Sequence, residues 1–198
     1  MQKNLESQLD FIFEIDRLKA VYRKTMVKSD NNRQENSAEH SWHIALSAQI
    51  LHEYAEQKVE IQRVTSMLLI HDIVEIDSGD LFAFESEALQ SAQEEKELAA
   101  AKRLFGLLPS PQSEQMEALW IEFENAQTCD ARFAKSIDRL LPLVQNMANE
   151  GGSWKVNKVR KQQVIKRNIY LKGLSPKLWD YVNVQIELAC EKGWLIED

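Results

Sequence analysis

The residues most able to do chemistry are His71 and Asp72, adjacent at the end of the apolar run VTSMLLIHDIVE in a chain with only four histidines. An imidazole nitrogen beside a carboxylate oxygen suits a divalent first-row metal. Upstream, SAEHSWH supplies His40 and His43. Downstream, Asp138 interrupts an apolar stripe formed by Ala134, Ile137, Leu141 and Val144. An uncompensated carboxylate on a core stripe costs several kcal/mol, so Asp138 needs a cation. Arg139 or Lys135 could supply it by a salt bridge, and a metal serves better. His40, His71, Asp72 and Asp138 together define a candidate centre for metal-assisted hydrolysis.

Other residues are placed to act around such a centre. Glu75 follows His71 by one helical turn, and its carboxylate can polarise water or protonate a leaving group. Asp80, just past Gly79, lies on a loop that would roof the cavity, whereas Asp77 is expected to face solvent. His43 shares a face with His40 and is assigned to the core or to orienting a ligand, although an HxxH pair could also bind metal through both rings. His52, among Glu and Tyr, reads as a surface or interface histidine. An Arg fork matches phosphate geometry, but spacing alone does not select Arg23 over Arg33 or Lys24.

The elements carrying these residues read as helices. Residues 5–23 have helical apolar spacing with Arg23 at the end, and KSDNNRQEN reads as a polar loop. Ser37 is a suitable N-cap for a helix from about 38 to 57, striping His40, His43/Ile44, Ser47, Ile50/Leu51 and Tyr54. A helix over about 60–74 stripes Val64, Met67/Leu68 and His71. The turn IDSGD follows, then helices near 86–106, 112–126, 130–149, 154–171 and 176–192. The expectation is an all-α fold, one domain over residues 1–198.

Composition narrows the function. Hydrophobic residues make up 44% of the 198 residues, enough for a core. Six Gly and four Pro favour long helices over strands and turns. The net charge of −7 argues against a nucleic-acid backbone or an anionic membrane surface as partner. An anionic small molecule fits if a metal and local basic groups gather its charge. Cys129 and Cys190 lack CxxC spacing and read as reduced structural thiols. No apolar leader or membrane span is evident, so a cytoplasmic location is expected. The apolar, aromatic-rich segment LWDYVNVQIELACEKGW, with Trp179, Tyr181 and Trp194, suggests an extra face buried in a homodimer, unless those rings pack on the chain's own core.

RLKAVYR, RQENSAEHSWHIA, HDIVEIDSGD and the late Asp of SIDRL occur in one order over positions 17 to 140. In this the chain resembles the HD-domain metal-dependent phosphohydrolases, and within them the 5′-deoxynucleotidases. The resemblance implies an all-helical, often dimeric fold and one divalent metal held by His40, His71, Asp72 and Asp138. It implies Glu75 and Asp80 as acid–base or substrate-orienting groups and Arg23 as a phosphate contact. It further implies hydrolysis of the 5′-phosphate of a deoxyribonucleoside monophosphate. In the characterised deoxynucleotidases a Trp follows the arginine matched by Arg23; here it is Lys24, expected to make the nucleoside side of the pocket more open and cationic.

The reading from sequence is one-step phosphomonoester hydrolysis of a nucleotide by Mn, Fe, Co, Ni or Zn held by two His and two Asp. Glu75 orients water, Arg23 holds phosphate, and Asp80 anchors a sugar hydroxyl or assists the leaving group. Two alternatives stand beside it: an HD enzyme acting on a triphosphate or signalling nucleotide, and a metal-holding scaffold without turnover. Spare carboxylates at Glu75 and Asp80 disfavour the scaffold.

Overall fold

The computed structural model describes residues 2–197. Its chain begins with helix α1 (Gln2–Ile15), and Asp16–Ala20 tighten into a 3₁₀ turn. Strands β1 (Tyr22–Val27) and β2 (Arg33–Asn36) then form a two-stranded antiparallel hairpin pairing Met26 with Gln34 and Val27 with Arg33. Helices α2 (Ser37–Leu51) and α3 (Ile61–Ile70) follow, then a 3₁₀ turn over His71–Val74 and the short helix α4 (Glu75–Ser78). The remainder comprises α5 (Glu87–Phe105), α6 (Gln112–Asn125), α7 (Cys129–Ala148), α8 (Gly152–Val156), α9 (Lys161–Asn168) and α10 (Pro176–Glu191). The fold is all-α in class, as expected, with the hairpin as an addition.

Several local expectations differ from the structure. The first helix stops at Ile15, so Arg23 is a strand residue. Asn31 and Asn32 adopt left-handed conformations that asparagine tolerates, turning the chain so that the polar stretch pairs as β2. The cap of α2 is Asn36: its side chain accepts from the Glu39 N–H while the Glu39 carboxylate accepts from the Asn36 N–H. This frees the Ser37 hydroxyl for another task. The helix over 60–74 becomes α-helical only to Ile70, and the segment expected at 154–171 divides into α8 and α9.

Apolar burial forms two clusters. One joins α2, α3, α6, α7 and the C-terminal helices through Ile44, Met67, Leu68, Phe123, Ile137 and Ile186. The other joins α1, the turn after α3, α5 and α6 through Phe11, Ile70, Ile73, Leu104, Phe105 and Trp120. α3 and α6 contribute to both, so the 3₁₀ turn bearing His71 and Asp72 lies along the seam. Trp120 secures it there by donating from Nε1 to the His71 carbonyl at 3.1 Å. Ile50, expected on the inward stripe of α2, is exposed. Trp42, Leu46 and Ile50, four residues apart, give α2 an exposed apolar face.

The capping box sets where α2 starts, and with it His40 one turn later. Asn36→Ala removes one partner of that box. It is expected to cost about 1 kcal/mol of stability, read as a lowered urea midpoint at unchanged slope.

Candidate metal centre

The four expected ligands come from three segments: His40 from the first turn of α2, His71 and Asp72 from the turn after α3, and Asp138 from the middle of α7. His40 Nε2 lies 3.0 Å from Asp138 Oδ1. His71 Nε2 lies 2.8 Å from Asp72 Oδ1 and 3.7 Å from Asp138 Oδ1. The ring centroids of His40 and His71 are 5.6 Å apart. Donor atoms of His40, His71 and Asp72 all fall within 4.8 Å of one another. All four residues are buried.

Hydrogen bonding fixes the direction of the rings. The His71 Nδ1–H donates to the Leu68 carbonyl at 2.9 Å, leaving Nε2 as a lone pair with no hydrogen-bond partner. That lone pair faces two carboxylate oxygens. Acceptors facing acceptors in a buried site require a cation between them, and a divalent metal fits this donor set. Phe123 packs its ring on His71 at 5.0 Å and walls the site with hydrocarbon.

Charges nearby are unequal. Arg23 Nη1 donates to Asp72 Oδ2 at 2.6 Å and lies 3.9 Å from Glu75 Oε1 and 3.8 Å from Asp80 Oδ1. Burial alone would raise Asp72, but His71 and Arg23 hold its pKa near 2, well into the ionised range. Burial likewise opposes Asp138, yet His40 and His71 hold it well below its ordinary value. Glu75 goes the other way: burial, then the charge of Asp72, pushes it well up despite Arg23, and its Oε2 accepts from Ser37 Oγ at 2.5 Å. Burial also raises Asp80, while Arg23 and, less strongly, Lys24 pull it back. Gly79, at φ +74°, lets the chain turn so that Asp80 reaches the site. Gln93 on α5 donates to the Gly79 carbonyl at 2.7 Å and anchors that turn.

The centre opens into a cavity of about 760 Å³, large enough for a nucleotide. Arg23, His71, Asp72, Glu75, Asp80 and Asp138 line it. Lys24 does not: side chains alternate along a strand, so Lys24 is exposed on the side away from Arg23. His43 is half-buried with its ring against Trp42 at 5.8 Å. Asp77 binds Arg103 on the surface. Neither cation considered for Asp138 pairs with it, since Lys135 binds Glu124 and Arg139 donates to the Arg167 carbonyl.

Several residues were not singled out by sequence reasoning. Glu35 on β2 places Oε2 3.5 Å from His40 Nδ1, and Gln145 donates to its Oε1 at 2.8 Å. A carboxylate five residues before a candidate ligand histidine was the available signal, because ligating imidazoles usually meet a carboxylate or carbonyl on the far nitrogen. Phe82 and Phe84, ring to ring at 5.3 Å, form an aromatic lip. Glu97 on the α5 wall is pushed up to about 7 by burial and by Glu124.

Comparison with known proteins agrees with this architecture. Residues 15–179 match the HD domain. A solved structure of a predicted metal-dependent phosphohydrolase from Magnetospirillum magnetotacticum superposes with a TM-score of 0.90 at 47% identity, covering 98% of this chain and 96% of that one. The 5′-deoxynucleotidase HDDC2 of Xenopus laevis is 27% identical over 73% of this chain and 70% of its own length. Its Homo sapiens counterpart is 26% identical over 70% of this chain and 66% of its own. The chain belongs to the HD-domain family. It is a metal-dependent hydrolase of that family.

Burial lowers His71, but Asp72 and Asp138 raise it well above the ordinary imidazole value. A proton therefore competes with metal for Nε2. Metal affinity is expected to rise about tenfold per pH unit with increasing pH, until the raised pKa is passed. Titration calorimetry with Mn or Co at successive pH values reads that slope, and His71→Ala is expected to abolish binding.

Proposed function

We propose that the protein hydrolyses the phosphomonoester of a nucleotide, a (deoxy)nucleoside 5′-monophosphate in the simplest case, at a metal held by His40, His71, Asp72 and Asp138. The observation that carries this reading is the pair of imidazoles, His40 and His71, turned toward the ionised carboxylates of Asp72 and Asp138 at the end of a cavity of about 760 Å³. The similarity to the HDDC2 5′-deoxynucleotidases supports the choice of substrate.

A divalent cation bound there supplies positive charge that offsets the phosphate and lowers the pKa of water. The protein's own groups do the remainder. Arg23 is held by Asp72 through Nη1, while its Nη2 makes no hydrogen bond to any described residue and can reach a phosphate oxygen. Glu75 is anchored at Oε2 by Ser37, leaving Oε1 on the Arg23 side to take or give a proton. A raised carboxyl beside an ionised one separates acid from base at near-neutral pH. Asp80, carried on the Gly79 turn, faces Arg23 and is placed to orient a sugar hydroxyl or the leaving oxygen. No Ser or Cys nucleophile is required, which makes direct attack of water the economical route.

The native metal falls among Mn, Fe, Co, Ni and Zn. Phosphate release across nucleoside mono-, di- and triphosphates with each metal tests the reading, and failure to release phosphate from any of them sinks it. Glu75→Gln keeps the Ser37 contact and the metal, and is expected to lower kcat about 10²–10⁴-fold. Near-normal kcat in the metal-loaded variant would remove Glu75 from the proton-transfer role.

The same reading treats the chain as one domain acting as a cytoplasmic homodimer on a small anionic substrate. Among the described residues, no helix is long and apolar enough to cross a membrane. Trp179 and Trp194 pack against the chain's own core, so they are not available for an interface. Support for the dimer comes instead from the Trp42, Leu46 and Ile50 face of α2 and from Phe13 of α1, which is 72% exposed. Light scattering is expected to report twice the 22.9 kDa chain mass, and Trp42→Glu with Ile50→Glu to return the monomer.

A further inference from the structure

Five cationic side chains line the metal cavity: Arg23, Lys135, Arg139, Lys166 and Arg167. Three are matched by carboxylates. Arg23 binds Asp72, Lys135 binds Glu124 at 2.7 Å, and Lys166 meets Glu87 at 3.4 Å. Arg139 and Arg167 have no carboxylate within ion-pair distance among the described residues, and the two sit together where α7 meets α9.

Arg139 is held rigidly. Its Nη1 donates to the Arg167 carbonyl at 3.1 Å, and its guanidinium lies 4.6 Å from the centre of the Tyr170 ring. Tyr170 is fixed in turn by donating to the Lys135 carbonyl at 2.6 Å. These contacts explain Arg139 as a clamp between helices, although its Nε remains buried without a partner. Nothing comparable explains the Arg167 side chain, whose guanidinium makes no hydrogen bond to a described residue. Arg167 is pushed down by burial, drawn back by Asp138 and Tyr170, and pushed down again by its like-charged neighbours Arg139 and Arg23. Two unmatched guanidiniums at one wall of a semi-enclosed cavity cost free energy until an anion joins them.

We propose that Arg167 and Arg139 form a second anion subsite, and that the substrate carries a further phosphate besides the one hydrolysed at the metal. The inference rests on the phosphohydrolase reading of the adjacent centre and narrows its substrate class. A guanidinium pair matches the geometry and charge of a phosphate dianion. Glu94, Glu97 and Glu124 also line the cavity, but they stand on α5 and α6, away in sequence from the α7 and α9 positions of the two arginines. The shared chemistry is a doubly phosphorylated nucleotide, with the second group either contiguous with the first or across the sugar.

The test measures kcat/KM for a matched nucleoside 5′-monophosphate, 5′-diphosphate and 3′,5′-bisphosphate with the metal-loaded protein, Arg167→Gln and Arg167→Lys. Wild type is expected to prefer one doubly phosphorylated compound by about tenfold or more, which also locates the second phosphate. The loss in Arg167→Gln is expected to fall about tenfold harder on that compound than on the monophosphate, with partial recovery in Arg167→Lys. Equal use of all three compounds by wild type, or an equal loss on all three in Arg167→Gln, overturns the subsite. If none is hydrolysed, the phosphohydrolase reading fails by itself, and equilibrium binding of the same compounds decides the subsite. Tighter binding of a doubly phosphorylated compound that Arg167→Gln abolishes upholds it; indifference to the substitution overturns it.

Discussion

The structure is organised around a surplus of buried negative charge. Glu35, Asp72, Glu75, Asp80 and Asp138 converge on two imidazoles and the Arg23 guanidinium. Removing a carboxylate from water without a partner costs several kcal/mol, so the groups cannot all share one protonation state cheaply. The solution is division. Asp72 and Asp138, closest to the imidazoles, remain ionised; Glu75 and Asp80, flanked by other acids, shift toward the protonated form. That division is what a hydrolytic centre needs, because the strongly ionised pair can hold a cation while a raised carboxyl handles protons.

Such a cluster persists only because its scaffold does not yield. His71 and Asp72 sit on a 3₁₀ turn along the seam between two apolar clusters, with α3 anchored in both. The seam supplies hydrocarbon against the ring face, through Phe123, and one polar tether, from Trp120. Asp138 reaches the same point from the middle of α7, where Ile137 and Leu140 on either side are buried. Pro142, one turn on, has no N–H to offer the Asp138 carbonyl, so the helix is locally weakened where it faces the cavity. Buried hydrocarbon thus packs directly beneath the candidate ligands.

Sequence displayed the ligands more clearly than the elements that hold them. His71-Asp72 stood out because it ended an apolar run, and Asp138 because it broke one; both signals are local and periodic. Arg23 was singled out only through the family resemblance, since spacing did not separate it from Arg33 or Lys24, and its strand was not legible at all. β1 exists by pairing with β2 across a turn of two left-handed asparagines, and the local pattern before it continues the spacing of α1. The cap lay one residue earlier than Ser37 suggested because Asn36 and Glu39 satisfy each other, and the Ser37 hydroxyl is spent on a carboxylate 38 residues away. The unmatched state of Arg139 and Arg167 has no sequence signature at all. It follows from which acids the fold brings near, and the neighbouring Lys135 and Lys166 found theirs.

Sign is distributed across the cavity in a way that composition hides. The chain carries a net charge of −7, yet the wall built from α7 and α9 presents Arg139 and Arg167 while the α5–α6 side presents Glu94, Glu97 and Glu124. A low-dielectric cleft strengthens such a difference relative to the screened surface. Phe82 and Phe84 give the cavity an uncharged aromatic lip, where a flat ring can pack without desolvating charge.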